Sequence, residues 1–364
     1  MKAGIVGLPN VGKSTLFNCL SNAKAQSANF PFCTIEPNIG VVNVPDPRIA
    51  RLEELVKPER VQMATVDIVD IAGLVKGASK GEGLGNQFLG NIRECNAIIH
   101  VLRCFDNDNI VHVDGNVNPI RDKETIDIEL QLKDLETVEK RLEKTNRAAK
   151  TGNKEAQAEK ALLDRIRETL LAGKSARTVV PQNQDEEEMM QEFQLITTKP
   201  VLYVCNVDEA SAVNGNKYVD QVRELVKDEN AEVIVLSVGA EADITELESY
   251  EERQMFLQDM GLTEPGSAVL IRAAYKLLNL QTYFTAGVKE VRAWTIKIGD
   301  TAPKAAGVIH TDFEKGFIRA EVIAFDDYSN FGSEAKVKEA GKLRVEGKEY
   351  IVKDGDVMHF RFNV

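Results

Sequence analysis

The sequence Gly7-Leu8-Pro9-Asn10-Val11-Gly12-Lys13-Ser14-Thr15 carries the clearest structural signal in this chain. It fits the phosphate-binding pattern G-x-x-x-x-G-K-[ST], and it follows an apolar run, Lys2-Ala3-Gly4-Ile5-Val6, that is typical of a buried strand. The next apolar residues, Leu16, Phe17 and Leu20, have the spacing of one helix face. A strand, a glycine-containing loop and a helix in this order predict a P-loop.

The residue types in this loop suit the phosphates of a nucleotide. Backbone N–H groups around the glycines and the N-terminus of the helix attract a β-phosphate, while Lys13 reaches the β- and γ-oxygens. The Ser14 hydroxyl is placed to bind Mg²⁺. We therefore expect a nucleotide to be bound by Asn10, Val11, Gly12, Lys13, Ser14 and Thr15.

Composition and charge restrict the class of protein. The 364 residues carry a net charge of −12, which disfavours a protein that coats nucleic acid through bulk attraction but leaves local basic patches open. No apolar run reaches the about 18 residues of a membrane span, and the first strand follows Met1 too closely for a signal peptide. The five cysteines lack C-x-x-C spacing and are typical of reduced thiols. We expect a cytoplasmic protein, without a membrane partner, and most simply a monomer.

The order of the elements predicts the fold class. Apolar runs typical of strands alternate with helical patterns, and the α/β alternation resumes near residue 200 after a long helical stretch. In that stretch, apolar residues recur at steps of three and four from 125 to 171, with a break at Thr151-Gly152-Asn153. This pattern predicts an inserted antiparallel helical hairpin, coiled-coil-like, followed by a loop over 181–190.

The C-terminal residues have a different pattern. From Asn279 onward, apolar and polar residues alternate with the period of β-strands, with turn residues between them. We therefore predict an α/β chain with a P-loop nucleotide domain over 1–278, a helical hairpin inserted over 123–198, and a small β-rich domain over 279–364.

Two further positions complete the layout of a switch-type NTPase. Thr34 is predicted to close over the γ-phosphate and complete the Mg²⁺ shell begun by Ser14. Asp70, at the end of an apolar strand, is predicted to hold a metal-bound water, and the Gly73 N–H to sense the γ-phosphate. The next residue, Leu74, has no donor or acceptor with which to orient the attacking water.

A histidine is the strongest substitute for the missing water-positioning group. His112 lies in the polar loop 106–114, and an imidazole can orient a water molecule or accept a proton from it. Its spacing alone does not separate this role from that of an ordinary surface-loop histidine. With Lys13, it is our candidate catalytic residue.

The base-reading segment departs from the guanine-specific pattern Asn-Lys-x-Asp. Here the strand ending at Cys205 is followed by Asn206-Val207-Asp208-Glu209, in which Val207 replaces the Lys and Glu209 stands where the Asp belongs. A side-chain amide such as Asn206 can satisfy the donor and acceptors of adenine, so the pattern favours adenine. Glu209 accepting from guanine after a small shift is the alternative. Ser237 and Val238 are placed for the last base-contacting loop.

These motifs together resemble the Obg-related translation-factor NTPases, and within them the Obg-like ATPases, called YchF in bacteria. The residues that carry the resemblance are the P-loop, Asn29-Phe30-Pro31-Phe32-Cys33-Thr34-Ile35-Glu36-Pro37-Asn38, Asp70-Ile71-Ala72-Gly73-Leu74-Val75-Lys76-Gly77-Ala78, and Asn206-Val207-Asp208-Glu209. The segment from His310 to Val322 looks like the TGS domain of that subfamily. The match spans essentially the whole chain.

The resemblance implies an ATPase that uses Mg²⁺ and hydrolyses ATP slowly until it meets the ribosome (50S or 70S). A contact with rRNA is also expected. It implies that His112 positions the water where Leu74 cannot, and that Asn10 coordinates K⁺, which would stimulate the enzyme. Two alternatives stay open: a GTPase with a tolerant base site, and a nucleotide-gated ribosome-binding module in which hydrolysis is incidental.

Overall fold

The computed structural model describes residues 1–22, 39–71, 84–113 and 115–363. The chain forms two compact units, of which unit 1 contains Met1–Gly40 and Asp67–Leu270, and unit 2 contains Val41–Val66 and Ile271–Val364. No sequence pattern indicates that residues 41–66 group with the C-terminal residues. The predicted boundary between 278 and 279 stays a prediction.

The strands of the described residues belong to two sheets. They are β1 (Lys2–Val6), β2 (Ile39–Asn43), β3 (Arg60–Gln62), β4 (Thr65–Asp70), β5 (Ala97–Arg103), β6 (Val201–Asn206), β7 (Val233–Leu236), β8 (Leu280–Ala286), β9 (Glu290–Lys297), β10 (Phe317–Ala324), β11 (Arg344–Glu346) and β12 (Asp356–Phe362).

The helices cover most of the remaining described chain. They are α1 (Lys13–Asn22), α2 (Pro47–Val56), α3 (Leu84–Glu94), α4 (Pro119–Lys150), α5 (Lys154–Leu171), α6 (Gln184–Glu192), α7 (Lys217–Val226), α8 (Val238–Glu246), α9 (Tyr250–Asp259), α10 (Gly266–Leu277), α11 (Ala302–Ile309), α12 (Thr311–Lys315), α13 (Phe325–Phe331) and α14 (Glu334–Glu339).

The first sheet has the strand order β2-β4-β1-β5-β6-β7. The pairs β1–β4, β1–β5, β5–β6 and β6–β7 are all parallel, which confirms the predicted parallel α/β sheet. β5 and β6 are buried along their whole length, as strands covered on both faces must be. Because the strands run parallel, the carboxyl ends of β1, β4, β5 and β6 lie at one edge of the sheet.

The inserted hairpin is confirmed in α4 and α5. The two helices are joined at Thr151–Asn153, where Gly152 has φ +86° and the Asn153 side chain accepts from the Ala156 N–H. Val138 and Leu142 of α4 pack with apolar residues of α5 in one buried cluster. A seam of apolar side chains therefore holds the two helices together.

The loop predicted over 181–190 is wrong, because α6 begins at Gln184. Asn183 caps this helix by accepting from the Glu186 N–H at 2.9 Å. Three acidic residues, Asp185, Glu186 and Glu187, occupy the first turn of α6, where the helix dipole favours negative charge.

Unit 2 contains a mixed sheet with the order β11-β10-β12-β8-β9-β3. Its hairpin β8–β9 and the pair β10–β12 are antiparallel, which confirms the β-rich C-terminal segment. β3, which comes from the early part of the chain, pairs parallel with β9. Tyr283, Phe317 and Phe360 lie in the buried cluster of this unit. Among the described residues, no helix is both long enough and apolar enough to cross a membrane.

Candidate nucleotide-binding site

The P-loop turns sharply between β1 and α1. Asn10 has φ +62° and Gly12 has φ +99°, both in the left-handed region. A Cβ on Gly12 would lie 2.6 Å from Asn206 Nδ2, and one on Gly7 would lie 2.7 Å from the Val101 carbonyl oxygen. Both positions therefore require glycine, because atoms of the neighbouring strands come too close to leave room for a Cβ. At Gly12 the positive φ also favours glycine.

Lys13, Ser14 and Asp70 lie together at the start of α1. Parallel pairing of β1 with β4 sets Ile5 opposite Asp70, which brings the carboxylate beside the P-loop. Ser14 Oγ donates to Asp70 Oδ2 at 3.0 Å. Lys13 is only 8% exposed, and burial lowers the pKa of its ammonium group, an effect that Asp70 opposes.

This group of side chains fits a hard divalent cation. Asp70 Oδ1 is buried and has no hydrogen-bond partner among the described residues. A buried carboxylate oxygen without a donor is costly unless a cation or a water approaches it. With the neighbouring Ser14 hydroxyl, it supplies the oxygen ligands that Mg²⁺ prefers.

Asn206 joins the P-loop to the start of α8. Its Nδ2 donates to the Val11 carbonyl at 2.9 Å, and its Oδ1 accepts from the Val238 N–H at 3.0 Å. The side chain is 4% exposed. Asn206 therefore organises the site in this structure, and its second amide hydrogen remains for the predicted contact with a base.

The other predicted base-site residues surround this bridge. Val207 and Val238 are buried, and so is Ser237, whose Oγ caps α8 by accepting from the Ala240 N–H at 3.3 Å. Glu209 is exposed and begins the short 3₁₀ turn Glu209–Ser211. The structure thus brings Val11, Asn206 and Val238 into contact and leaves the Glu209 side chain in solvent.

The loop that carries His112 approaches the P-loop from the end of β5. Asn10 Nδ2 donates to the Val111 carbonyl at 3.2 Å. His112 itself is buried, with Nε2 2.9 Å from Asp122 Oδ2 in the first turn of α4. Burial raises the pKa of the Asp122 carboxyl, and His112 and Arg121 oppose this rise.

Three predicted residues, Thr34, Gly73 and Leu74, lie outside the described residues. Thr15 follows Ser14 in α1 and is exposed. Sequence reasoning missed two residues of this region, Asp122 and Arg103. An acidic residue at a helix start and a basic residue at a strand end are each common, so no sequence signal marks them.

Comparisons with known proteins agree with this arrangement. A family model described as a 50S ribosome-binding GTPase matches residues 2–150. A second model, for the YchF-GTPase C-terminal region and described as a protein of unknown function, matches residues 280–363.

Curated relatives match over the full length. The ribosome-binding ATPase YchF of Escherichia coli O157:H7 is 58% identical over 363 residues, covering 100% of this chain and 99% of that protein. The same-named protein of Bacillus subtilis is 54% identical over 366 residues and covers 100% of both chains. The solved structure of the Schizosaccharomyces pombe YchF GTPase has a TM-score of 0.89 at 38% identity, covering 99% of this chain and 97% of that chain. The chain belongs to the YchF family.

Proposed function

We propose that this protein is an ATP-hydrolysing P-loop switch that binds the ribosome according to the nucleotide it holds. The observation that carries the proposal is the group formed by Lys13, Ser14 and Asp70, with one Asp70 oxygen left for a cation or its water. Relatives of 54–58% identity that are named ribosome-binding ATPases support both the substrate and the partner.

Mg²⁺ is the proposed cofactor, held by Ser14 and by Thr34, with Asp70 holding a bound water. When bound, the ion neutralises charge on the β- and γ-phosphates. K⁺ is proposed at Asn10, whose left-handed backbone is already fixed.

His112 is the proposed water-positioning residue. Its loop is attached to the P-loop through the contact between Asn10 and Val111, which supports a place near the γ-phosphate. The imidazole is also held by buried Asp122. His112 is engaged with Asp122, and Leu74 has no group that could orient water. These two features account for the slow turnover that we propose for the isolated protein.

The hairpin is the proposed contact to rRNA. Lys140 and Arg141 of α4 have side chains that are 70% and 37% exposed. Exposed cations on a helix suit phosphate contacts, which position a protein on nucleic acid without reading sequence.

The test is phosphate release from ATP with Mg²⁺, measured with and without ribosomes. We expect a slow rate alone, stimulation by ribosomes, and loss of both in Lys13→Ala. Cosedimentation with ribosomes should differ between a non-hydrolysable ATP analogue and ADP. Unchanged turnover in Lys13→Ala would refute the proposal.

A second candidate is a GTPase, because the relative from Schizosaccharomyces pombe is named one. Exposed Glu209 is free to move toward a guanine, whereas ATP preference requires no such contact. Competition between ATP and GTP separates the two. A third candidate, a nucleotide-gated binding module, predicts that His112→Ala keeps the cellular role after hydrolysis is lost.

A further inference from the structure

Arg103, the last residue of β5, is buried to 1% exposure and lies beneath the loop that carries His112. Its Nε donates to the Phe105 carbonyl at 3.2 Å, its Nη1 to Ile110 at 2.9 Å, and its Nη2 to Asn107 at 3.0 Å. The guanidinium also lies 4.8 Å from the centre of the Phe105 ring. Among the described residues, all three hydrogen-bond acceptors of Arg103 are main-chain carbonyls.

The buried guanidinium of Arg103 binds the main chain of one loop, the loop that follows β5. A guanidinium spreads five N–H donors over three nitrogens in a rigid planar fork, whereas the three donors of a lysine share one nitrogen, so arginine is better suited to carbonyls that lie on three sides of the side chain. The acceptors span six residues of irregular backbone. The last of them, Ile110, comes two positions before His112.

Other hydrogen bonds also attach this loop to its surroundings. Asp106 accepts from the Tyr218 hydroxyl at 2.9 Å, and the Val111 carbonyl accepts from Asn10 at 3.2 Å. At the strand end, the Cys104 N–H donates to the Asn206 carbonyl at 2.7 Å. Arg103 therefore stands where β5, the P-loop and the His112 loop meet.

We propose that Arg103 is a positioning residue for hydrolysis: its guanidinium fixes the main chain of residues 105–110 and thereby the location of His112. This proposal rests on the proposed role of His112. The Arg103 donors are used by main-chain carbonyls of the loop, so the residue acts on the rate through His112 and leaves nucleotide binding largely unchanged.

The test is a double-mutant cycle in the full chain with Arg103→Lys, His112→Ala and the combined variant. Phosphate release gives kcat, and titration with a fluorescent ATP analogue gives Kd. We expect Arg103→Lys to lower kcat about tenfold, from the loss of about 1.4 kcal/mol of hydrogen bonding, and to change Kd less than threefold. In the His112→Ala background, Arg103→Lys should have no further effect on kcat.

Arg253→Lys is the matched control. The Arg253 guanidinium also donates to a main-chain carbonyl, that of Leu247, at 3.0 Å from Nε, but between α8 and α9. We expect it to keep the parental kcat. Arg103→Met, which fills similar space without donors, repeats the test if Arg103→Lys is too unstable to measure, and it should lose at least as much rate.

The outcomes separate this inference from the proposed function. A lower kcat in His112→Ala with full kcat in folded Arg103→Lys would overturn the inference alone. An equal loss from Arg103→Lys with and without His112 would also overturn it, because the effect would not pass through the histidine. Full kcat in His112→Ala would overturn the role of His112 and, with it, the route proposed for Arg103.

Discussion

Asn206 is the residue whose replacement gives the most quantitative test of the site. It links Val11 in the P-loop to Val238 at the start of α8 through one hydrogen bond to each main chain. Asn206→Ala removes both bonds while leaving the fold of the sheet intact. Asn206→Asp keeps the size but places an oxygen where Nδ2 now lies, 2.9 Å from the Val11 carbonyl oxygen.

The expected loss of stability follows from the burial of the two main-chain groups that Asn206 binds. Val11 and Val238 are 1% and 3% exposed, so water cannot readily replace the lost partner. An unpaired buried polar group costs about 1–3 kcal/mol, so two such groups predict a loss of about 2–6 kcal/mol for Asn206→Ala. We expect a larger loss for Asn206→Asp, because two oxygen atoms then face each other. Even about 1.4 kcal/mol expressed in the P-loop weakens ATP binding tenfold.

Urea unfolding gives the free energy of unfolding, and titration with a fluorescent ATP analogue gives Kd. Asn216→Ala is the matched control, since Asn216 Nδ2 also donates to a main-chain carbonyl, that of Cys104, and its Oδ1 caps α7. The control should lose about 2–4 kcal/mol of stability, through its cap and through the unpaired Cys104 carbonyl, and keep its ATP affinity. An unchanged Kd in both Asn206 variants would show that the Asn206 hydrogen bonds do not support ATP binding by the P-loop.

Three further changes test other parts of the molecule. Asp122→Ala leaves buried His112 Nε2 without its carboxylate, and we expect urea unfolding to show a loss of about 1–3 kcal/mol; unchanged stability would show that the pair contributes nothing. Burial lowers the pKa of His100 to about 3, below the unfolded value of 6.5, so its contribution is complete above pH 6.5 and is lost as the pH falls toward 3. From pH 6.5 to 5 the parent should lose about 2 kcal/mol more stability than His100→Gln, and equal losses would contradict this reasoning. The Arg48 side chain is 26% exposed and binds both Asp46 and Asp354, so Arg48→Ala should lower the free energy of unfolding by about 2–3 kcal/mol. The Arg51 side chain is 45% exposed, and Arg51→Ala should lower it by less than about 1 kcal/mol. Similar losses in the two variants would contradict this difference.

Much of unit 1 is predictable because its signals are local. The P-loop needs left-handed backbone and close approach, and Gly12 shows both. The hairpin follows from a regular apolar period interrupted by Gly152, and the sheet from buried apolar runs. In each case the information lies in one continuous stretch of the chain, so neighbouring side chains are enough to specify the element.

The contacts that organise the site could not be predicted, since they join residues far apart in sequence. Asn206 and Val11 are 195 positions apart, and Asn10 and Val111 are 101 apart. The base-site pattern identifies Asn206, but only the sheet order shows that its amide is used by the P-loop. Arg103 ends a strand that is apolar apart from His100, and nothing in its neighbours indicates that three carbonyls of one loop depend on it. A loop is predicted where α6 lies, because the sequence pattern does not show that Asn183 caps a helix whose first turn holds Asp185, Glu186 and Glu187.

The central claim is that this member of the YchF family is an ATP-preferring switch, and one binding experiment tests it most directly. Fluorescent ATP and GTP analogues are titrated into the purified protein with Mg²⁺ and K⁺, and the two dissociation constants are compared. We predict that the ATP analogue binds at least tenfold more tightly than the GTP analogue. GTP binding that is equal or tighter would contradict it and would mean that Glu209 reads guanine in place of the usual aspartate.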